Sequence, residues 1–534
     1  MKKKWSFWIA LVLLISLALA GCSSSDSPNA DGGAASSGET SPASSSPQSG
    51  GMLRIAYGSL PQTLDPHTTT ANATTHPARQ IYEPLVALNS QYEVVPVLAE
   101  SYVISDDRKT VTFKLRQGVK FHNGKEMKAE DVIASMEKWQ QGSTAKANLG
   151  DSTWVASDDY TVILNVETPS YVLMYALAEM QQFPAIMPKE IVEAADASGV
   201  TEFVGTGPYK FAELVPNQYL RLTRFEDYEP LQTPPDGLTG KKEALLDDLY
   251  FYYVPDPSTQ INGLLSGEYD FVPQVSLDAL PQINGNPDVT QILYPFGLQT
   301  LVFNKKEGLF SNEKARQAVN AALDKNAIMT SSFTGPDYYR LDPGLMLEEQ
   351  TAWYTDAGKE DYGKHDTALA RQLLEEAGYD GKEVRIITTR DYSTLYNSAV
   401  AAQQQLQEIG MNAVLDVMDW STLLDRRTKP DQWDMFFTGF PASGTPLNFP
   451  FLDSKTNWPG WTNSSELDML IGEIKAAANQ DEAKSAFAEL QAQFWKENPV
   501  LVLGHYLQVT ATSSQVQGFK DFNGPLFWNT YLVK

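Results

Sequence analysis

Two hydrophobic periods alternate along the chain, and they are clearest in its last third. The apolar run 384–387 predicts a buried strand, and the apolar positions after it recur three and four residues apart, as on one face of a helix. Ser393 is expected to cap this helix and Gly410 to end it. Further strands are predicted at 412–417 and 433–437. A strand, a helix and a strand in such a short stretch predict a crossover unit with parallel neighbouring strands.

The same pattern predicts other elements throughout the chain. Strands are expected at 52–57, 111–115, 248–254 and 269–272, and helices at 131–139 and 257–266. No period of about 20–50 residues repeats, which excludes a solenoid or a propeller. The alternation of strands and helices predicts an α/β fold with layered sheets.

Polar and aromatic residues follow the three strands of the crossover unit. Arg390 and Tyr392 follow the first strand, Trp420 follows the second, and Phe440 follows the third. Ligands of open α/β sheets bind beyond the carboxyl ends of the strands. A guanidinium group with aromatic walls suits an organic molecule that carries a carboxylate. The alternative is that Arg390 is an ordinary surface arginine and that the rings belong to the core.

The N-terminus has the pattern of a secretory signal, which we assign to residues 1–21. Three lysines precede an apolar stretch that ends at Ala20, and this stretch is short for a membrane span. An uncleaved anchor helix is the alternative. The sequence Leu-Ala-Gly-Cys at 19–22 resembles the lipobox of bacterial lipoproteins. The resemblance implies cleavage before Cys22 and attachment of a diacylglyceryl group there, and a second acyl chain would make the anchoring stable.

Residues 22–51 are predicted to form a disordered tether. Beyond Cys22 they are mostly Ser, Gly, Ala, Pro, Asp and Asn, with no aromatic side chain, so they cannot bury enough apolar area to offset the entropy of ordering. The folded part is therefore expected to begin near Met52. A long tether fits an anchor on the outer face of a cytoplasmic membrane, as in Gram-positive bacteria.

Charge and cysteine content exclude several kinds of partner. The formal net charge is −25, from 41 basic and 66 acidic residues, and a surface of this sign repels nucleic acid and anionic lipid. The single cysteine excludes a disulfide framework and a cysteine-based zinc site. No metal or other cofactor is expected, because the histidines are scattered along the chain: His67, His76, His122, His365 and His505.

A secreted hydrolase is the competing functional class, and we expect the chain not to be an enzyme. The sequence has no His-Glu-x-x-His motif, no Gly-x-Ser-x-Gly elbow and no phosphate loop. Its only cysteine lies in the lipobox-like segment, which leaves no thiol nucleophile in the folded part.

Several short motifs follow one another along the chain. They are Leu64-Asp65-Pro66, Ile81-Tyr82-Glu83-Pro84-Leu85, Pro96-Val97-Leu98-Ala99-Glu100, the run from Thr112 to Gly124, Gly205-Thr206-Gly207-Pro208-Tyr209 and Lys314-Ala315-Arg316-Gln317-Ala318-Val319. With these motifs the chain resembles the extracellular solute-binding proteins of ABC importers in the peptide/nickel-binding family, family 5. The motifs span nearly the whole chain after Met52, and as a set they are far more specific than any one of them.

This resemblance implies a periplasmic-binding-protein-like clamp of two α/β lobes, class II and cluster C in type. The first lobe would comprise 52–298 plus 508–534, with an extra subdomain at about 85–200, and the second lobe 302–507. The chain would cross between the lobes near 301–304 and again near 506–510. Closure of such a clamp buries the ligand, and a permease recognises the closed form.

The resemblance also implies roles for single residues. In dipeptide binders of this family an arginine in the second lobe pairs with the ligand carboxylate, and Arg390 occupies the matching position, with Tyr392, Trp420 and Phe440 as aromatic neighbours. The ligand amine is held by an aspartate in a Gly-Asp-Pro turn, and the matching turn here reads Gly444-Thr445-Pro446.

A neutral threonine cannot form a charge-assisted bond with an ammonium group. Asp391 or Asp419 would then take that role, or the ligand lacks an amine at this place. Gly58 and Ser59, after the first strand, are expected to face the cleft opposite Arg390.

The sequence therefore predicts a lipid-anchored binding protein for a peptide or a peptide-like solute with a carboxylate, which acts as a monomer and delivers its cargo to an ABC permease. An opine, an oligosaccharide or a metal chelate as cargo is the alternative, as is a sensor role for the same clamp.

Overall fold

The computed structural model describes residues 49–142, 149–196, 198–363 and 365–533. The predicted signal peptide, Cys22 and most of the predicted tether lie outside this part of the chain. The last residues of the predicted tether are included. The Gly50 N–H donates to the Leu245 carbonyl at 2.7 Å, and the Gly51 N–H donates to the Asp247 carboxylate at 2.8 Å. Within the described residues, none of the helices combines the length and the apolar character that crossing a bilayer requires.

The strands are numbered in chain order. They are β1 Met52–Tyr57, β2 Val86–Leu88, β3 Val94–Pro96, β4 Ala99–Ile104, β5 Thr110–Leu115, β6 Ser152–Asp158, β7 Thr161–Val166, β8 Tyr209–Val215, β9 Tyr219–Arg224, β10 Asp248–Tyr253, β11 Phe271–Val272, β12 Val289–Phe303, β13 Tyr339–Arg340, β14 Val384–Thr389, β15 Ala413–Met418, β16 Met435–Pro441, β17 Val500–Ser513, β18 Val516–Gln517, β19 Lys520–Asp521, β20 Pro525–Leu526 and β21 Tyr531–Leu532.

The α-helices are numbered in the same way. They are α1 Asn72–Ile81, α2 Ala129–Gly142, α3 Leu173–Leu177, α4 Lys189–Glu193, α5 Pro257–Ser266, α6 Leu280–Ile283, α7 Glu313–Ala322, α8 Lys325–Phe333, α9 Lys359–Tyr362, α10 Thr367–Glu376, α11 Ser393–Glu408, α12 Trp420–Arg426, α13 Ser465–Ala476 and α14 Gln480–Glu497.

One large sheet runs through the described molecule. Its strand order is β15-β14-β16-β12-β17-β11-β1-β10-β9-β8, and β13 pairs with β17 as an eleventh strand. The long strands β12 and β17 lie at its centre and pair antiparallel from Val289 opposite Ser513 to Val302 opposite Val500. Their register shifts between Pro295 and Gly297, near the middle of the pair. The crossing predicted near 506–510 falls within β17, and the one predicted near 301–304 falls at the end of β12, which stops at Phe303. The lobe boundaries stay predictions.

The crossover unit is confirmed. β14 pairs in parallel with both β15 and β16, and α11 connects β14 to β15. The N-cap is wrong: Ser393 is the first helical residue, and Tyr392 before it has no capping side chain. The first turn of α11 therefore lacks the expected side-chain acceptor. The third strand starts at Met435, two residues later than predicted, after the buried Trp433.

The other predicted elements are present with small shifts at their ends. Helix α5 has the signals that the sequence provides: the Asp256 side chain accepts from the Thr259 N–H, Pro257 is the first residue, and Gly267 ends the helix with φ of 75°. The strand predicted at 269–272 is reduced to Phe271–Val272. In front of it, the Asp270 carboxylate accepts from the backbone N–H and the guanidinium of Arg54 on β1.

A second, antiparallel sheet lies within the predicted subdomain. Its strand order is β4-β5-β7-β6, and α2 packs on it with Trp139 fully buried. The chain then returns to the main sheet through α3, α4 and the segment between them. That segment, 178–188, carries one wall of the cavity described next.

Candidate functional site

A cavity of about 690 Å³ lies between two segments that are far apart in the sequence. One wall is formed by Glu179, Gln181 and Gln182, between α3 and α4. The facing wall is the end of β16 and the segment after it, residues 440–443 and 447–450. Asp453, Lys455, Thr456, Lys475 and Thr70 complete the lining. The volume is in the range of pockets that hold small organic molecules.

Aromatic packing fixes the wall that is formed by the end of β16 and the segment after it. The ring of Phe440 lies 4.9 Å from that of Phe451 and 5.4 Å from that of Trp458, measured between centroids. Phe449, which also lines the cavity, stacks on Phe451 at 5.2 Å. These contacts hold Phe440 as a rigid apolar surface, which costs a ligand little ordering entropy.

Glu179 supplies a carboxylate to the opposite wall. Its Oε1 accepts from the backbone N–H groups of Met180, at 3.0 Å, and Gln181, at 3.1 Å. Its Oε2 accepts from Asn448 Nδ2 at 2.9 Å. In the described part of the chain, no lysine or arginine nitrogen lies within 4.0 Å of it. Burial raises the pKa of Glu179, and these hydrogen bonds together with the charge of Arg79 offset only part of that shift.

Several hydrogen bonds join the two predicted lobes around the cavity. Besides the bond from Asn448 to Glu179, Asn523 Nδ2 donates to the Ala442 carbonyl at 3.0 Å. From the subdomain, the Arg108 guanidinium donates to the carbonyls of Ala476 and Ala477, at the C-terminal end of α13. A cation at a helix C-terminus is favoured by the free carbonyls and the helix dipole. We call this arrangement, in which hydrogen bonds join the two walls of the cavity, closed.

The residues predicted at the sheet edge are close together. The rings of Tyr392 and Trp420 lie 5.1 Å apart, and the Asp391 carboxylate accepts from the Trp420 N–H at 2.7 Å. Asp419 caps α12 by accepting from the Thr422 N–H at 3.0 Å. Arg390 stacks on the ring of Tyr396, with its guanidinium carbon 4.8 Å from the centroid, and donates to the Tyr396 hydroxyl at 3.0 Å. Asp391 and Asp419 thus have local structural roles.

The remaining predicted residues lie elsewhere. Thr445 is only 1% exposed, and its hydroxyl accepts from the Leu447 N–H at the start of the turn that carries Asn448. Gly58 and Ser59 follow β1 and are exposed. Of the nine predicted ligand-binding residues, all in the described part, Phe440 alone lines the cavity. A ligand role for the other eight stays a prediction.

The sequence pattern did not single out Glu179 or Asn448. One signal was available: Glu179, Gln181 and Gln182 interrupt two apolar runs, 172–178 and 183–187. Polar residues inside such a run are expected to point into a polar site or a cavity. Their position opposite Phe440 depends on the closed arrangement of the chain, which no local pattern contains.

A buried polar cluster lies next to the Glu179 segment. Arg79 donates to the carbonyls of Met180, at 2.5 Å, and Asn523, at 2.6 Å. Asp521 Oδ1 accepts from the Gly524 N–H at 3.0 Å, whereas its Oδ2 is buried with no hydrogen-bond partner in the described part. Burial raises the pKa of Asp521 to about 7 and lowers that of His76 to about 3.

We predict that Asp521→Asn changes the pH dependence of stability. The folded-state pKa of Asp521 lies above its ordinary value of 3.8, so folding takes up a proton and the wild type loses stability as the pH rises from about 4 to 7. Relative to the wild type, the variant should gain roughly 2–4 kcal/mol between about pH 4.5 and pH 8. Urea unfolding at both pH values measures this gain. His76, which acts in the opposite direction, is present in both proteins and cancels. A difference between the proteins that does not change with pH would contradict the assignment.

No group of three or more histidine, cysteine or acidic side chains in the described ranges is arranged to hold a metal ion.

Comparison with known proteins identifies the family. Residues 93–463 match the model of bacterial extracellular solute-binding proteins, family 5. The chain is 30% identical over 501 residues to a probable peptide ABC transporter periplasmic-binding protein, y4tO, of Sinorhizobium fredii, covering 89% of this chain and 92% of that protein. It is 26% identical over 495 residues to the glutathione-binding protein GsiB of Pectobacterium atrosepticum, covering 89% and 92%.

A solved structure supports the same conclusion. The binding protein AgaA of A. tumefaciens R10, in complex with agropinic acid, superimposes with a TM-score of 0.74 at 26% identity, covering 91% of this chain and 99% of that one. The large mixed sheet and the second sheet of the subdomain are those of a two-lobe α/β clamp. Members of the family are substrate-binding proteins that work outside the membrane with ABC importers. The chain belongs to the bacterial extracellular solute-binding proteins of family 5.

Proposed function

We propose that this chain captures a peptide or a peptide-like solute with a carboxylate and delivers it to the permease of an ABC importer. The observation that carries the proposal is the cavity between Glu179 and Phe440, which has the size of a small-molecule site and is enclosed by two parts of the chain. The relatives named for peptide and for glutathione, and the structural neighbour that holds agropinic acid, support a cargo with a carboxylate.

Cations near the cavity support the same cargo. Lys455 and Lys475 line it, and in the described ranges neither has a carboxylate within 4.0 Å. Arg390 also has no carboxylate within 4.0 Å in the described ranges. It follows β14 at the sheet edge where β16 carries Phe440, since Ile387 on β14 lies opposite Phe436 on β16. Arg390 and Lys455 are exposed and Lys475 is half-buried, and cations that have no carboxylate partner favour an anionic ligand through charge-assisted hydrogen bonds. We therefore propose Arg390, with Tyr392 and Trp420 beside it, as a second contact for the cargo.

The cellular setting is part of the proposal. A lipid anchor on Cys22 and the tether after it would hold the clamp at the outer face of the membrane, as a monomer beside the permease. Mass spectrometry of the N-terminal peptide tests the anchor. A diacylglyceryl group on Cys22 is expected, and an unmodified chain that retains residues 1–21 would contradict it.

A thermal-shift panel tests the cargo class. The purified chain is heated with dipeptides, tripeptides, glutathione and an opine, each compared with the amide made from its carboxylates. A ligand at about 100 times its dissociation constant stabilises the folded state by about 2.7 kcal/mol. We expect at least one carboxylate compound to raise the melting temperature more than its amide. Equal shifts for acids and amides, or stabilisation by neutral sugars alone, would contradict the proposal.

A further inference from the structure

Glu179 is one of four charged residues that line the cavity, with Asp453, Lys455 and Lys475. In the described part of the chain, no lysine or arginine nitrogen lies within 4.0 Å of the Glu179 carboxylate. A carboxylate has about four acceptor positions, and three of them are occupied by the N–H groups of Met180 and Gln181 and the side-chain amide of Asn448. All three donors are neutral. A desolvated carboxylate with only neutral donors gains strongly from a cation, because the surrounding dielectric is low.

Glu179 lies next to the turn that contains Thr445. The donor Asn448 belongs to the short turn 446–448, which the Thr445 hydroxyl caps. At Thr445, this turn has a neutral side chain at the position where related dipeptide binders are expected to have an aspartate. Through the bond from Asn448, the closed arrangement brings the Glu179 carboxylate of the opposite wall to that same turn. The carboxylate that the turn itself lacks is thus supplied to it from the opposite wall by Glu179.

We infer that Glu179 binds the ammonium group of the cargo, and that a solute with both a free amine and a carboxylate is preferred. The inference rests on the proposed function and narrows its ligand class to zwitterions. Lys455 and Lys475 of the same cavity are the complementary cations for the carboxylate end. Since Asn448 of the facing wall donates to Glu179, a cargo ammonium group at Glu179 would lie next to both walls of the cavity.

Calorimetry with paired probes tests this inference. Glutathione, Met-Leu and trialanine are each titrated into the purified full chain with a free and with an acetylated amine. Cadaverine serves as an amine without a carboxylate. The variant is Glu179→Gln, whose side-chain carbonyl still accepts hydrogen bonds. The control is Glu93→Gln, because Glu93 likewise accepts from an asparagine amide, Asn89 Nδ2 at 3.0 Å, but lies outside the cavity lining.

We expect the wild type and Glu93→Gln to bind at least one free-amine peptide about 10- to 100-fold more tightly than its acetylated form. Glu179→Gln should lose this preference while its urea unfolding midpoint stays near that of the wild type. An unchanged preference in Glu179→Gln overturns the inference.

The remaining outcomes separate this inference from the proposed function. If acetylated peptides bind as tightly as peptides with a free amine, the proposed function is supported and the role of Glu179 is overturned. If cadaverine is the only probe that binds, and it binds only when Glu179 is present, the role of Glu179 is supported and the proposed function is overturned. If no probe binds the wild type, both are overturned.

Discussion

Replacing Gly297 by alanine is expected to lower the free energy of unfolding by about 4 kcal/mol, because β12 and β16 approach each other too closely there to admit a side chain. A Cβ atom at Gly297 would lie 1.9 Å from the carbonyl oxygen of Phe440 and 2.8 Å from the Cα of Pro441. The obstacle is backbone, so the strand itself must move. Since Phe440 lines the cavity, affinity for any cargo should fall together with stability.

Gly472→Ala is the matched control for this substitution. Gly472 lies inside α13, and a Cβ atom added there would have no heavy atom within 4 Å outside its own helix backbone and chain neighbours. Alanine there should stabilise the protein by roughly 0.5–1 kcal/mol through helix propensity alone. Urea unfolding of both variants measures the contrast. If Gly297→Ala unfolds at the wild-type urea concentration, the close approach of β12 and β16 is refuted.

Lys242→Met should cost about 3–5 kcal/mol of stability, because it leaves a buried carboxylate without its counterion. Lys242 Nζ lies 3.0 Å from Glu83 Oε1, and their side chains are 3% and 2% exposed. Glu83 also accepts from the hydroxyls of Tyr228, at 2.9 Å, and Thr206, at 3.1 Å. Methionine keeps most of the aliphatic stem of lysine, so the measured loss reports the charge more than the packing.

Two comparisons sharpen this second test. Lys382→Met removes a lysine that is 83% exposed and pairs with Asp380 at 2.9 Å, and it should change stability by less than about 1 kcal/mol. The double variant Lys242→Met with Glu83→Gln no longer buries an unpaired charge, so it should be more stable than Lys242→Met alone. A double variant as unstable as the sum of two large single losses would contradict this explanation.

The motifs that revealed the family illustrate what the sequence could predict. Glu83 and Thr206 belong to two separate motifs, and the structure joins them by a hydrogen bond. Gly207 donates from its N–H to the Ile81 carbonyl at 2.8 Å, and a Cβ at Gly205 would lie 2.1 Å from the same oxygen. Short motifs of this kind carry the packing of the first lobe, and their order along the chain was enough to predict the fold.

Local elements were predictable for a related reason. The crossover unit and α5 are set by apolar spacing, proline and glycine within the segment itself, so their bounds could be predicted from the sequence to within about two residues. The Ser393 cap was wrong by one position, since Tyr392 is the N-cap residue and Ser393 is already helical, and helix ends are less sharply defined than helix interiors. The two-residue β11 is likewise shorter than its apolar run, since pairing with β1 and β17 limits its length.

The candidate site was less predictable than the fold. Phe440 was found because it comes just after the strand predicted at 433–437, although the structure places it inside β16. Glu179 was missed because it lies about 260 residues earlier, in a segment without a regular pattern, and reaches the cavity only through closure of the chain. Pairings of this kind arise from tertiary packing, which periodicity and turn chemistry do not encode.

The central claim is that the cargo lies between the Glu179 segment and the segment after β16. Amide hydrogen exchange on the purified chain tests it most directly, with and without a saturating amount of the panel compound that stabilises the protein most. We predict added protection at 179–182 and 440–456, because the solute covers both walls of the cavity. Protection confined to other segments, or exchange that is unchanged by every compound of the panel, would contradict it.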